Sequence, residues 1–184
     1  MSRKYKFRNP EGLYFVSFAV VNWIDVFTRR IYKDILLDGL QYCIDNKGLK
    51  VHAYVLMTNH AHLIISKTDP GKALPFLLGD LKKFTALKLI HVIKDNAEES
   101  RKEWLIRGFR KAGSANPNNK EFQFWQQDNH PIELTSSAMT EQKVVYIHQN
   151  PVEAGIVFRA EDYLYSSAAD YVGEKGLLKI DMLW

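Results

Sequence analysis

Two apolar stretches separated by a break of two residues constrain this chain most. Leu49 to Met57 and His60 to Ser66 are short and rich in aliphatic and β-branched residues, with only Thr58-Asn59 between them. They predict two strands joined by a tight connection or bulge. The second opens with His60-Ala61-His62 and continues as Leu63-Ile64-Ile65, the apolar run of a buried strand. Side chains alternate along a strand, so both imidazoles leave the same face of the sheet. Two adjacent imidazoles suit a metal ion, but a His-x-His pair also occurs as plain strand sequence, because a metal site needs a third donor and an open coordination position.

The flanking sequence predicts the elements that could supply that donor. Tyr14 to Val21 is aromatic and β-branched, a first strand, with Asn22 to Thr28 leading out of it. From Arg30, apolar residues recur at Ile31, Ile35, Leu36, Leu40 and Ile44 with acidic residues between them, an amphipathic helix stopped by Gly48. Asp69-Pro70-Gly71 is a turn. A second helix is expected from about Leu74 to Asn96, with Leu77, Leu78, Leu81, Phe84, Leu87, Leu89, Ile90 and Ile93 on its apolar side. Residues 97–120 are rich in charge, Asn and Gly and read as a basic loop. Phe122 to Gln126 is the candidate fourth strand. Thr140-Glu141 has the chemistry of a helix start, for a helix ending at Asn150 because Pro151 follows. This order is α+β: an antiparallel sheet with helices packed on it, ferredoxin-like in arrangement. Neither a repeat nor a linker is visible. One domain over 1–184 is expected, with a basic insertion around 98–120 and a C-terminal tail after about 160.

Net charge is +4 with a pI near 9.0, which permits a polyanionic partner without requiring one. The cations that could meet phosphates are Arg3, Lys4 and Arg8 before the first strand, Lys82 and Lys83 on the second helix, and Arg107, Arg110 and Lys111 in the basic loop. In that loop they surround Trp104 and Phe109, the composition of a surface that binds single strands by stacking and charge. His130 is a further candidate, while His52 and His91 read as structural. The single Cys43 excludes an intrachain disulfide and falls on an apolar helix stripe as a buried thiol. The basic and then apolar N-terminus lacks a small-residue cleavage pattern, and no stretch reaches the length of a membrane span, so a cytoplasmic protein without a membrane partner is expected.

Tyr146 and Asn150 stand four residues apart on the last helix and project from one side of it. At these residues the chain resembles a known family. Met57-Thr58-Asn59-His60-Ala61-His62-Leu63-Ile64-Ile65, together with Tyr146-Ile147-His148-Gln149-Asn150-Pro151-Val152-Glu153-Ala154-Gly155-Ile156-Val157, is similar to blocks of the REP-associated tyrosine transposases. These are single-tyrosine members of the HUH nuclease superfamily. Phe124-Trp125, Tyr163-Leu164-Tyr165-Ser166-Ser167 and Asp170-Tyr171 extend the resemblance in the same order.

The resemblance implies a metal-dependent single-strand DNA endonuclease and strand-transferase acting near DNA hairpins through a 5′-phosphotyrosine. His60, His62 and Asn150 would hold Mg²⁺ or Mn²⁺, and Tyr146 would be the nucleophile. Related insertion-sequence transposases carry Gln where this chain has Asn150, so the amide oxygen is kept on a shorter arm. Glu153 stands where family members often carry a basic residue. A free tyrosine hydroxyl, with a pKa of about 10, is a poor nucleophile at neutral pH, so a neighbouring group must assist it. A monomer is preferred over a homodimer. The rival reading is a non-catalytic module of the same fold that binds single-stranded nucleic acid. A cupin-like metal enzyme would need many more short strands than this helix-rich chain offers.

Overall fold

The computed structural model describes residues 7–68, 71–116, 121–127 and 129–184, so Arg3 and Lys4 lie outside the described residues. Its strands are β1 (Tyr14–Ala19), β2 (Leu49–Leu56), β3 (His60–Lys67) and β4 (Ile132–Glu133). They form one antiparallel sheet in the order β2-β3-β1-β4, the ferredoxin-like order expected from the sequence. Helices α1 (Arg30–Lys47) and α2 (Leu74–Asp95) follow β1 and β3, α3 (Lys102–Ser114) is inserted before β4, and α4 (Ser137–Glu153) comes after it. A short α5 (Ala168–Tyr171) lies in the C-terminal segment.

Helix α1 buries Ile35, Leu36, Leu40 and Cys43 and ends at Gly48, whose φ of 72° is the left-handed cap that glycine adopts without strain. It crosses α2 at Gly39, where a Cβ would meet Leu81 Cδ1 at 2.9 Å and Thr85 Cγ2 at 3.0 Å. On α2, Phe84 and Leu87 are exposed, contrary to their expected place on the apolar side. Eight apolar residues make a stripe wider than one helix neighbour and one sheet can cover.

Three expectations are corrected. Phe122 to Gln126 is not a full strand. It contributes only a bridge from Trp125 to Val20, and the ladder on β1 resumes at Ile132 opposite Phe15. Ile132 stands seven positions after Trp125 where Val20 stands five after Phe15, so the edge bulges, with His130 at φ 41°. Pro131, having no N–H, cannot close the ladder there.

The basic stretch forms a helix where a loop was expected. Leu105, Phe109 and Gly113, spaced at i, i+4 and i+8, are buried along one side of α3. Gly113 permits the docking, since a Cβ there would come within 2.8 Å of Phe122 Cα. The segment ahead of α3 is anchored by Glu99, whose buried carboxylate accepts from Arg29 Nε and Arg101 Nε at 3.0 Å each.

Helix α4 begins at the cap Ser136, whose Oγ accepts from Met139 N, and runs through Pro151 to Glu153. The proline removes one hydrogen bond in the last turn, where little helix remains to be disrupted, and its ring is buried.

The C-terminal segment covers the outer edge of β2 and leaves no long exposed ladder there. Leu56 N donates to Tyr165 O, Ser167 N to Tyr54 O, and Asp181 N to Val51 O. His52 secures it from beneath. Asp181 O can only accept, so His52 Nδ1 carries the proton it donates at 2.6 Å, and Nε2 accepts from Ser66 Oγ at 2.8 Å. Burial holds the His52 pKa below the usual histidine value, against the opposing pull of Asp181. The folded protein therefore binds this proton less readily than the unfolded chain. Stability from this site is complete above about 6.5 and erodes as pH falls below it. Melting curves of the wild type are expected to shift to lower temperature between about pH 7.5 and 5.5. His52→Asn is expected to make that dependence shallower, leaving the part that His60, His62 and His148 contribute through their own lowered pKa values. An equally steep profile in the variant would remove His52 as the cause.

Candidate active site

His60 and His62 leave β3 on the face that α4 crosses. Across the ladder His60 faces Ala19 and His62 faces Ser17, two small residues that leave room above the pair. The two rings are 4.8 Å apart. Phe15 stacks on His62 at 5.4 Å and meets Tyr146 edge-on at 6.0 Å, fixing the ring positions of both.

The hydrogen bonds settle which His60 nitrogen is free. Asn59 Nδ2 donates to Asp25 Oδ1 at 3.0 Å and to Trp23 O at 3.2 Å. Its Oδ1 therefore points at His60 Nδ1, 2.7 Å away, and that nitrogen must carry the hydrogen. The Nε2 lone pair is left for the site. The Asn150 side chain lies within hydrogen-bonding range of His60. Its Nδ2 donates to Tyr146 O at 2.7 Å, and its effect on the His60 pKa is upward, that of an acceptor, so the amide oxygen is the atom available to the site. With Nδ1 carrying the hydrogen, His60 Nε2 and the Asn150 amide oxygen are both lone-pair donors of the kind a cation can bind.

Helix α4 brings the third and fourth members. Val144, Ile147, His148 and Pro151 are buried, which turns Tyr146 and Asn150 outward on the other side. Tyr146 is 41% exposed, and its Oη is 3.4 Å from His62 Nε2. His148, two residues on, points into the protein and bonds Ser167 Oγ at 2.9 Å. Lys143, one turn before Tyr146, places its ammonium 4.7 Å from the Phe15 ring and 5.2 Å from the Tyr146 ring. Sequence reasoning missed Lys143, although its i, i+3, i+7 spacing with Tyr146 and Asn150 puts all three on one helical stripe.

Burial favours the uncharged form of both imidazoles. It pushes His62 down to about 3, assisted by its neighbours His60 and Lys143. It also lowers His60, against smaller upward contributions from Asn150 and Asp25. Neutral imidazole is the form that binds a metal. His62 Nδ1 is buried without a hydrogen-bond partner. Among the described residues no group of three or more His, Cys, Asp or Glu could hold a metal, so a site here must draw its third donor from an amide. Two neutral imidazoles and an amide oxygen fit a divalent ion such as Mn²⁺.

The other sequence candidates are dispersed. Arg8 and Lys83 are exposed, and Lys82 Nζ donates to Gln126 O at 2.7 Å and Asn129 Oδ1 at 2.9 Å, bracing the bulged edge. Arg110 meets Glu121 at 3.3 Å, whereas Arg107 and Lys111 line a cleft between α3 and the turn after β1. His130 is exposed on the bulge. His52 is buried and bonded at both nitrogens, as expected, but His91 is exposed and pairs with Asp95 at 3.2 Å. Among the described residues no helix is long and apolar enough to cross a membrane.

No family model matches the chain, and no curated protein matches it. Among solved structures it is similar to a REP-associated tyrosine transposase bound to a REP hairpin. That similarity covers 100% of this chain and 92% of the other at a TM-score of 0.68 and 17% identity. A candidate transposase from Deinococcus radiodurans is 18% identical over 82% of this chain and 95% of its own, with a TM-score of 0.42. Over its full length the chain has the fold of the hairpin-bound transposase.

Proposed function

We propose that this chain is a metal-dependent endonuclease and strand-transferase for single-stranded DNA next to hairpins, working through a 5′-phosphotyrosine. The observation that carries the reading is the convergence of Tyr146 and Asn150 on the His60 and His62 pair, with Tyr146 Oη 3.4 Å from His62 Nε2 across 84 residues of sequence. The solved neighbour that shares the fold is a transposase holding a REP hairpin, which fits the same substrate class.

His60, His62 and Asn150 would hold Mg²⁺ or Mn²⁺. When bound, the ion would supply a Lewis acid that polarises phosphate oxygens. The chain's own groups do the rest. Tyr146 Oη attacks phosphorus, an Oη–P bond forms and the P–O3′ bond breaks, while the phenol proton, its loss favoured by the Lys143 ammonium 5.2 Å from the ring, passes to solvent and the departing 3′-oxygen takes one up. Phe15 holds the attacking ring in place, and Lys143 adds a cation near the incoming anionic phosphate. The phosphotyrosine bond conserves the phosphodiester, so a second 3′-hydroxyl can reverse the step without ATP.

The test is incubation with pooled hairpin oligonucleotides carrying single-stranded flanks and Mn²⁺, followed by a denaturing gel. A covalent protein–DNA adduct is expected. A DNA shift on a native gel with no adduct would replace this reading by a binding module.

Asn59 gives an independent check. It holds His60 by the nitrogen remote from the site, and losing such a partner weakens metal binding by about 10- to 100-fold. Titration calorimetry with Mn²⁺ is expected to show that loss in Asn59→Ala. Unchanged affinity would mean that His60 needs no orientation to bind.

A further inference from the structure

Beside the His pair lies a cleft of about 400 Å³ that the reaction above leaves without a role. It runs between the turn after β1 and α3, and Trp23, Asp25, Trp104, Arg107, Gly108 and Lys111 line it. Both tryptophans are 58% exposed. Two half-open indoles on one cleft, from elements far apart in sequence, are unusual on a surface that only faces water.

The backbone is strained to present the first of them. Asn22 and Trp23 both have positive φ, 55° and 53°, which is rare for a bulky residue. The Trp23 carbonyl is held by Asn59 Nδ2, and its ring meets His60 edge-on at 5.7 Å. The cleft is thus tied to the residue that orients His60 and adjoins the site.

Its two cations outnumber its one carboxylate. Arg107 and Lys111 stand four residues apart on α3, both exposed, and neither has an ion pair among the described residues. The nearby cations Arg29, Arg101 and Arg110 all have carboxylate partners. The cleft's carboxylate, Asp25, keeps its charge but directs Oδ1 to Thr58 Oγ1 at 2.6 Å and Asn59 Nδ2 at 3.0 Å. At Gly108 a Cβ would lie 3.2 Å from Ile24 Cδ1, so α3 approaches the turn closely there. Exposed π faces beside unpaired cations match a flat base on an anionic backbone.

We propose that this cleft is a subsite for an unpaired nucleotide of the strand whose phosphate reaches Tyr146. The base stacks on Trp23 and Trp104, and its backbone phosphate meets Arg107 and Lys111. The subsite rests on the single-stranded DNA reading above and adds to it a specific contact outside the chemistry.

The test measures binding of the full chain to a pool of random-sequence single strands and to an all-abasic deoxyribose-phosphate strand of the same length, across a salt series. The wild type should prefer the base-bearing pool. Trp104→Ala should weaken binding of that pool by about 5- to 100-fold, the range for one stacked base, while leaving the abasic strand nearly unaffected. Trp104→Phe should recover most of the loss, and Arg107→Ala should lower the salt slope by about one on both strands. If the wild type prefers the base-bearing pool but Trp104→Ala and Trp23→Ala bind both strands as it does, the subsite is wrong and the nuclease reading survives. Equal weakening on both strands would make Trp104 a structural residue and also end the proposal. Failure of the wild type to bind any strand would overturn the single-stranded DNA reading itself.

Discussion

Tyr146→Phe should bind single-stranded hairpin DNA as the wild type does and form no covalent adduct, with cleavage reduced by at least about a thousandfold. The substitution removes one oxygen from a ring that is 41% exposed and whose hydroxyl, among the described residues, has one hydrogen-bonding contact, the 3.4 Å approach to His62. The ring itself stays against Phe15, so neither packing nor strand binding depends on the lost atom. Stability should change by no more than about 0.5 kcal/mol, the usual range for a surface change. Quantitative adduct gels and thermal melts run on the same preparations separate the two effects. A persisting adduct would move the nucleophile to another residue and dismantle the proposed chemistry.

The second large effect is expected at the histidines. His60→Ala and His62→Ala should each reduce Mn²⁺-dependent cleavage by about a hundredfold or more, and the wild type in excess chelator should behave likewise. The two variants should differ in stability. His62 is buried against Phe15, so its truncation leaves a cavity and should cost about 2 kcal/mol. His60 is only half-buried, with an exposed Trp23 at its edge, and should cost less. Calorimetric titration with Mn²⁺ reads the metal loss without relying on activity. Full cleavage in chelator would remove the ion from the mechanism, and normal Mn²⁺ affinity in both variants would place it elsewhere.

Much of this site is visible before folding because its parts obey local rules. Period-two alternation puts His60 and His62 on one face, and the 3.6-residue helix puts Tyr146 and Asn150 on one side. The misreadings occurred where a local rule met a tertiary one. Pro151 looked like a helix end, but burial of its ring and the short remaining turn outweigh one missing hydrogen bond. The basic stretch after Asn96 looked like a loop because its apolar residues are sparse. Leu105, Phe109 and Gly113 become a helix face only because Phe122 and its neighbours are there to receive them. Aromatic residues favour strands and point to an edge strand near Trp125, while the bulge around His130 and Pro131 moves most of the pairing to Ile132.

The amino-acid order alone determined the first three strands and the two long helices that follow β1 and β3, the sheet's α+β class, the facing of the histidine pair and the side of the last helix that carries Tyr146. All of these depend on side-chain periodicity within one element. Only the tertiary structure decided that the two faces meet, that Asn59 sets the His60 tautomer, that Lys143 joins the site, and that Trp23 and Trp104 share one cleft. Those facts depend on contacts between segments tens of residues apart, and no local pattern encodes a distance across the sheet.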